Sequence, residues 1–153
     1  MGPEIFRDVV EESPRLRVLI VDDEPLIRWS MSETLTETGH AVTEACDARE
    51  ALQRLGDNPA PDVILLDYRL PDSDDLRLLE AIRKVAPGSR VVLMTAFSTP
   101  AVQAGALKLG AVRVVSKPVE MRDLTPLVQQ AYASTDWEGG CSSMGGSTST
   151  KWI

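Results

Sequence analysis

Five polar side chains stand where apolar runs stop. Asp22 and Asp23 follow Arg17-Val18-Leu19-Ile20-Val21, and Asp67 follows Val63-Ile64-Leu65-Leu66. Thr95 follows Arg90-Val91-Val92-Leu93-Met94, and Lys117 follows Arg113-Val114-Val115-Ser116. If these runs are strands of one parallel sheet, three carboxylates, a hydroxyl and an ammonium share a rim. Carboxylates crowded in one crevice repel, and each favours protonation of its neighbours unless a cation is present. Lys117 alone cannot neutralise three of them. A hard divalent ion can, and Mg2+ typically takes one or two carboxylates together with water and phosphate oxygens.

Each residue also has a plainer reading. Asp22 or Asp23 could cap the helix that follows, Asp67 could be a turn aspartate ahead of Pro71-Asp72, and Thr95 could be a turn hydroxyl. Two acids in a row with Glu24 behind them exceed what a cap needs. A carboxylate that ends a fully apolar strand is costly to desolvate without a partner. Lys117 precedes Pro118, which fixes the direction of the charge and makes that peptide bond a candidate for the cis form. The joint placement is far more specific than any one residue.

The elements that must position these groups alternate. After the first strand, Leu26 to Thr38 has helical spacing, with Pro25 suited to its first turn and Gly39 to its C-terminal cap. Ala41 to Ala45 reads as the second strand. Asp47 caps a helix from Ala48 to Leu55, closed by Gly56-Asp57-Asn58-Pro59. Strand three is followed by a helix carrying Leu76, Leu78, Leu79 and Ile82 that ends near Pro87-Gly88. Strand four is followed by a helix from Thr99 to Leu109 ending at Gly110, and strand five by a helix from Met121 to Ala133. Near-continuous apolar strands alternating with helices predict an α/β fold: a doubly wound, five-stranded parallel sheet covered on both faces. Such sheets bind ligands beyond the carboxyl ends of their strands, where all five polar groups fall.

The chain is divided into an N-terminal extension over 1–15, the α/β domain over 16–133, and a flexible Gly/Ser-rich tail over 134–153. Ile5, Phe6, Val9 and Val10 could form an added helix, although an acidic arm fits as well. With 153 residues, 43% of them hydrophobic, the chain can bury one real core. A formal charge of −7 argues against direct nucleic-acid binding, since nothing offsets repulsion from phosphates. One histidine and two separated cysteines, Cys46 and Cys141, argue against structural zinc. No apolar run approaches bilayer length and the N-terminus lacks signal-peptide character, so a cytoplasmic protein without membrane contact is expected.

Four stretches carry a resemblance. Val18-Leu19-Ile20-Val21-Asp22-Asp23-Glu24-Pro25, Asp67-Tyr68-Arg69-Leu70-Pro71-Asp72, Thr95-Ala96, and Gly110-Ala111 with Val115-Ser116-Lys117-Pro118 resemble, in order and spacing, the motifs of bacterial two-component response regulator receiver domains. Leu26-Ile27-Arg28-Trp29-Ser30 and the segment from Leu70 to Leu76 look most like the NtrC-type group. The resemblance implies a flavodoxin-like (CheY-like) sheet of order 2-1-3-4-5. It implies that Asp67 accepts a phosphoryl group from a sensor histidine kinase, with Mg2+ on Asp23, Asp67 and the Arg69 carbonyl and with Asp22 acting through water. Lys117, Thr95 and the Ala96 N–H would hold phosphoryl oxygens. The domain would be regulatory rather than an enzyme, with an effector protein, a C-terminal effector domain or a second copy of itself in a homodimer as its partner.

The sequence departs from the family pattern in places. Val114 stands where many receivers have an aromatic residue, which puts a coupled Thr-aromatic switch in doubt. Asp75 stands where glycine is common, and would need to tolerate positive φ there. Arg69 and Phe97 occupy positions that tune phosphoryl lifetime in the family. Two rival readings follow. One is a pseudo-receiver that binds a partner without being phosphorylated. The other is a flavodoxin-like phosphatase, which the absence of an Asp-x-Asp pair at Asp67-Tyr68-Arg69 disfavours.

Overall fold

The computed structural model describes residues 14–134, apart from 58 and 74. The readings of an N-terminal helix and of a flexible tail beyond Ser134 lie outside the described residues. Five strands alternate with five helices: β1 (Arg17–Val21), α1 (Pro25–Glu37), β2 (Ala41–Ala45), α2 (Ala48–Asp57), β3 (Val63–Asp67), α3 (Arg77–Val85), β4 (Arg90–Thr95), α4 (Pro100–Lys108), β5 (Arg113–Ser116) and α5 (Met121–Ala133). The strands form one parallel sheet of order β2-β1-β3-β4-β5, as the resemblance implied.

Side chains of a strand alternate between faces, and both faces here are dry. Leu19, Val21, Ile64, Leu66, Val91 and Leu93 meet Ala51 and Leu55 of α2, Leu78, Leu79 and Ile82 of α3, and Ala106 of α4. Val18, Ile20, Val63, Leu65, Val92 and Met94 meet Met31 and Leu35 of α1 and Leu124, Leu127 and Val128 of α5. Apolar strands thus bury every second residue on each side, and because all the pairings are parallel the polar groups that follow the strands fall at one end of the sheet.

Local chemistry sets the element ends. Gly39 and Gly110 adopt φ of 97° and 108°, the left-handed conformation that terminates α1 and α4. Asp47 caps α2, its Oδ1 accepting the Glu50 N–H at 2.8 Å. Thr99 caps α4 rather than entering it, accepting the Val102 N–H at 3.2 Å. α3 begins at Arg77, one residue after Leu76, and α2 continues through Gly56 to Asp57, beyond the predicted stop. Asp75 does not use positive φ. Its Oδ1 instead accepts the Arg77 N–H at 2.9 Å and so opens α3 without glycine. Neither Asp22 nor Asp23 caps α1, whose N-cap position is Glu24 with no side-chain cap bond. Among the described residues no helix is long and apolar enough to cross a membrane.

At the end of the sheet remote from the polar rim, His40 is buried, and its Nδ1 accepts the Leu16 N–H at 3.0 Å. Nε2 has no partner among the described residues. Burial first, and then the nearby Arg15 charge, hold the imidazole pKa below its usual value. The folded ring therefore releases its proton at lower pH than the unfolded one. Its contribution is complete above the unfolded pKa, about 6.5, and is lost as pH falls through the folded value. Urea unfolding of the native chain should show stability falling from about pH 7.5 to about pH 5.5, straddling that unfolded pKa. His40→Asn, which keeps an acceptor for Leu16 but cannot titrate, should flatten that dependence. Parallel slopes in the two proteins would exclude His40 as the source.

Candidate functional site

β1, β3, β4 and β5 end on the same side of the sheet, and the residues at or just beyond their ends open into one cavity. Asp22, Asp23, Asp67, Arg69, Thr95, Ala96 and Lys117 all line it, so every residue expected to hold the metal or the phosphoryl group is brought together. Ile27, Met31, Met94 and Met121 form an apolar flank.

Lys117 joins two of the acids. Its Nζ lies 3.2 Å from Asp22 Oδ2 and 3.2 Å from Asp67 Oδ2. Asp22 is fully buried and Asp67 is 6% exposed, so neither charge is solvated well enough to stand alone. The backbone helps: Asp22 Oδ1 accepts the Glu24 N–H at 2.9 Å and Asp67 Oδ1 accepts the Arg69 N–H at 3.3 Å. Burial raises the Asp67 pKa, the neighbouring Asp22 adds to the rise, and Lys117 works against it. Burial disfavours the charge on Lys117, yet the carboxylates of Asp22 and Asp67 outweigh that and raise its pKa. Asp23 is exposed at the mouth. One carboxylate oxygen from each of Asp22, Asp23 and Asp67 lies within 4.8 Å of the others. An all-oxygen, anionic donor set of this size fits a hard divalent cation such as Mg2+ and offers nothing to a soft one.

The other side of the rim is set by β4 and β5. The Lys117 N–H donates to the Thr95 carbonyl at 2.8 Å, and the Lys117–Pro118 bond is cis, as anticipated. Thr95 is buried, and its Oγ1 accepts the Phe97 N–H at 3.1 Å, which leaves the hydroxyl proton available to an acceptor in the cavity. The Arg69 guanidinium carbon sits 5.9 Å from the centre of the exposed Phe97 ring, at the outer limit of a cation–π contact.

Two features escaped the sequence reading. The second strand, which ends in no rim group, supplies Glu44, whose Oε1 accepts the Arg28 Nε–H at 3.0 Å. Asp72 accepts the N–H groups of Ala48 and Arg49 at 2.8 and 3.1 Å and so ties the loop after Asp67 to the start of α2. Both are contacts between segments distant in the chain, with no local pattern to announce them.

Comparison with known proteins gives a consistent result. Residues 18–129 match the model of the response regulator receiver domain. The chain is 36% identical over 115 residues to the regulatory protein AtoC of Escherichia coli, covering 75% of this chain and 25% of AtoC. It is 35% identical over 120 residues to the transcriptional regulatory protein PdtaR of Mycobacterium tuberculosis, covering 76% and 57%. The chain thus spans between a quarter and somewhat over half of the curated relatives it matches. A CheY-like receiver domain structure from Methanospirillum hungatei superimposes with a TM-score of 0.73 at 30% identity, covering 83% of this chain and 99% of that one.

The shared cation gives a test that needs no ligand. Removing Lys117 leaves Asp22 and Asp67 uncompensated and drives the Asp67 pKa further up. An acid whose folded pKa lies above its unfolded one destabilises the fold when ionised, and the penalty is relieved as pH falls through the folded value. In chelator, Lys117→Met should cost about 2–3 kcal/mol at neutral pH, less than a fully sealed pair because the cavity is open. Denaturant titrations should show that loss shrinking toward acid pH. A loss independent of pH would mean that the lysine acts through packing alone.

Proposed function

The chain belongs to the response regulator receiver domain family, and on that premise we propose that it accepts a phosphoryl group on Asp67 in a Mg2+-dependent reaction and alters a protein-binding surface in response. The observation that carries this reading is Lys117 held at 3.2 Å from both Asp22 and Asp67 at the ends of three strands, beside the buried Thr95.

Asp67 Oδ is the nucleophile. It attacks phosphorus of a phosphohistidine on a sensor kinase; the O–P bond forms, the N–P bond breaks, and the departing imidazole takes a proton. Asp23, Asp67 and the Arg69 carbonyl would hold Mg2+ directly, with Asp22 acting through water; when bound, the ion offsets charge on the phosphoryl oxygens and keeps Asp67 ionised. Phosphoryl transfer asks a protein mainly to align the nucleophile and to offset charge. Lys117 is already within reach of Asp67 and can pass to a phosphoryl oxygen. The Thr95 hydroxyl and the Ala96 N–H, at the same rim, supply further donors. The domain is regulatory, promoting only its own phosphorylation and dephosphorylation, and its setting is cytoplasmic. Its partners are the kinase and an effector, either a separate protein or a further domain.

The response is a population shift, and a near-complete flip between two states requires about 5.5 kcal/mol of differential stabilisation. Charge-assisted bonds from Lys117 and Thr95 to the new dianion contribute to it.

Incubated with acetyl phosphate and Mg2+, the native chain should gain one phosphoryl group by intact mass, and chelator should abolish the gain. Asp67→Asn should gain none. Equal uptake by Asp67→Asn would remove Asp67 from the role. A native chain that neither gains the group nor binds beryllofluoride with Mg2+ would instead be a pseudo-receiver.

A further inference from the structure

β2 stops at Ala45 and the chain turns into α2, which leaves the end of β1 short of a neighbour. The Asp22 N–H still reaches the Ala45 carbonyl at 3.1 Å. In a parallel ladder the Asp22 carbonyl points to that same side and would next receive an N–H from β2. Asp47 has instead turned to cap α2. The place is filled by Arg28 of α1, whose Nη1–H donates to the Asp22 carbonyl at 2.7 Å. Its Nε–H is held in turn by Glu44 of β2 at 3.0 Å, and the Arg28 side chain is 18% exposed. One planar fork thus closes the sheet edge and fixes the residue that starts the acidic turn, a geometry that a lysine cannot reproduce.

We infer that Arg28, clamped by Glu44, is the positioning residue of the Asp22–Asp23 turn and holds those carboxylates at the spacing that a hard divalent cation requires. This rests on the Mg2+ reading above. Arg28 touches neither the cation nor the phosphoryl group; it acts through the Asp22 backbone.

The sign of the effect separates position from charge. Removing a cation beside an anionic pocket should, by Coulomb's law alone, tighten Mg2+ binding. A weakening therefore reports lost geometry. Partners that orient ligands of a metal typically change affinity by about tenfold or more.

The experiment is calorimetric titration of Mg2+ into the native chain, Arg28→Met and Arg28→Lys, with thermal melts of each. The native chain should bind, and both variants should bind about tenfold more weakly while folded at the assay temperature. Amide exchange at Glu24, whose N–H bonds Asp22 Oδ1, should quicken in both. Arg28→Lys keeps the charge and the aliphatic stem, and it carries the test if Arg28→Met does not fold. Binding as tight as native or tighter, or a lower melting temperature with unchanged affinity, would overturn the inference. A native chain that binds no Mg2+ would overturn the Mg2+ reading itself, a result distinct from native binding that the variants share.

Discussion

Two buried carboxylates cannot stay ionised side by side without a cation between them, and Lys117 meets that condition. Its ammonium is equidistant from Asp22 and Asp67, which come from strands that neighbour each other in the sheet. The lysine is reached only from β5, two strands beyond β3. Its backbone is therefore anchored on the intervening strand through the Thr95 carbonyl. The order β2-β1-β3-β4-β5 is thus part of the electrostatics: exchanging strands would part the acids from their counter-charge. The same crowding makes the pocket receptive to a second cation, because Lys117 supplies one positive charge against three carboxylates within 4.8 Å.

Much of this was legible in the sequence because it was written in short-range patterns. Val63-Ile64-Leu65-Leu66-Asp67 announces a strand buried on both faces and the polar residue that ends it. Pro25 announces a helix start through its fixed φ, and Gly39 and Gly110 announce helix ends through their freedom to take positive φ, and the structure places them there. What could not be read involves contacts across the fold. Glu44 is an ordinary acid within a strand until Arg28 of a preceding helix lies beside it. Asp72 looks like a turn residue until α2 docks against it. Helix limits drifted where a cap and a first helical residue are equally polar, as at Thr99, or where glycine was tolerated inside a helix, as at Gly56. Asp75 reached its turn by a side-chain bond rather than by positive φ, a choice the residue type leaves open.

The pocket is asymmetric in how its two sides are held. On the acidic side, Asp22 is fixed through its N–H, its carbonyl and both carboxylate oxygens, with partners from β2, α1, its own turn and β5. Asp67 belongs to β3, in register with Met94 of β4, and its carboxylate is held by Lys117 and by the Arg69 N–H at 3.3 Å, longer than the usual N–H···O distance of about 2.9 Å. The two carboxylates differ in their turn bond, 2.9 Å at Asp22 against 3.3 Å at Asp67.

Thr95 occupies the joint between that pocket and the outer surface. Its carbonyl accepts the Lys117 N–H, and its hydroxyl oxygen accepts the Phe97 N–H. A displacement of Thr95 toward the cavity must therefore act in two directions at once, on the strand end that carries Lys117 and on the loop that carries the exposed Phe97. On β5, Val114 packs against the core formed with α2, α3 and α4, and its short β-branched side chain has few alternative rotamers. Phe97 is the larger group, and its exposed ring meets Arg69 at the limit of a cation–π contact. At Thr95 the pocket is thus tied both to the strand end that carries Lys117 and to the β4–α4 loop that carries Phe97.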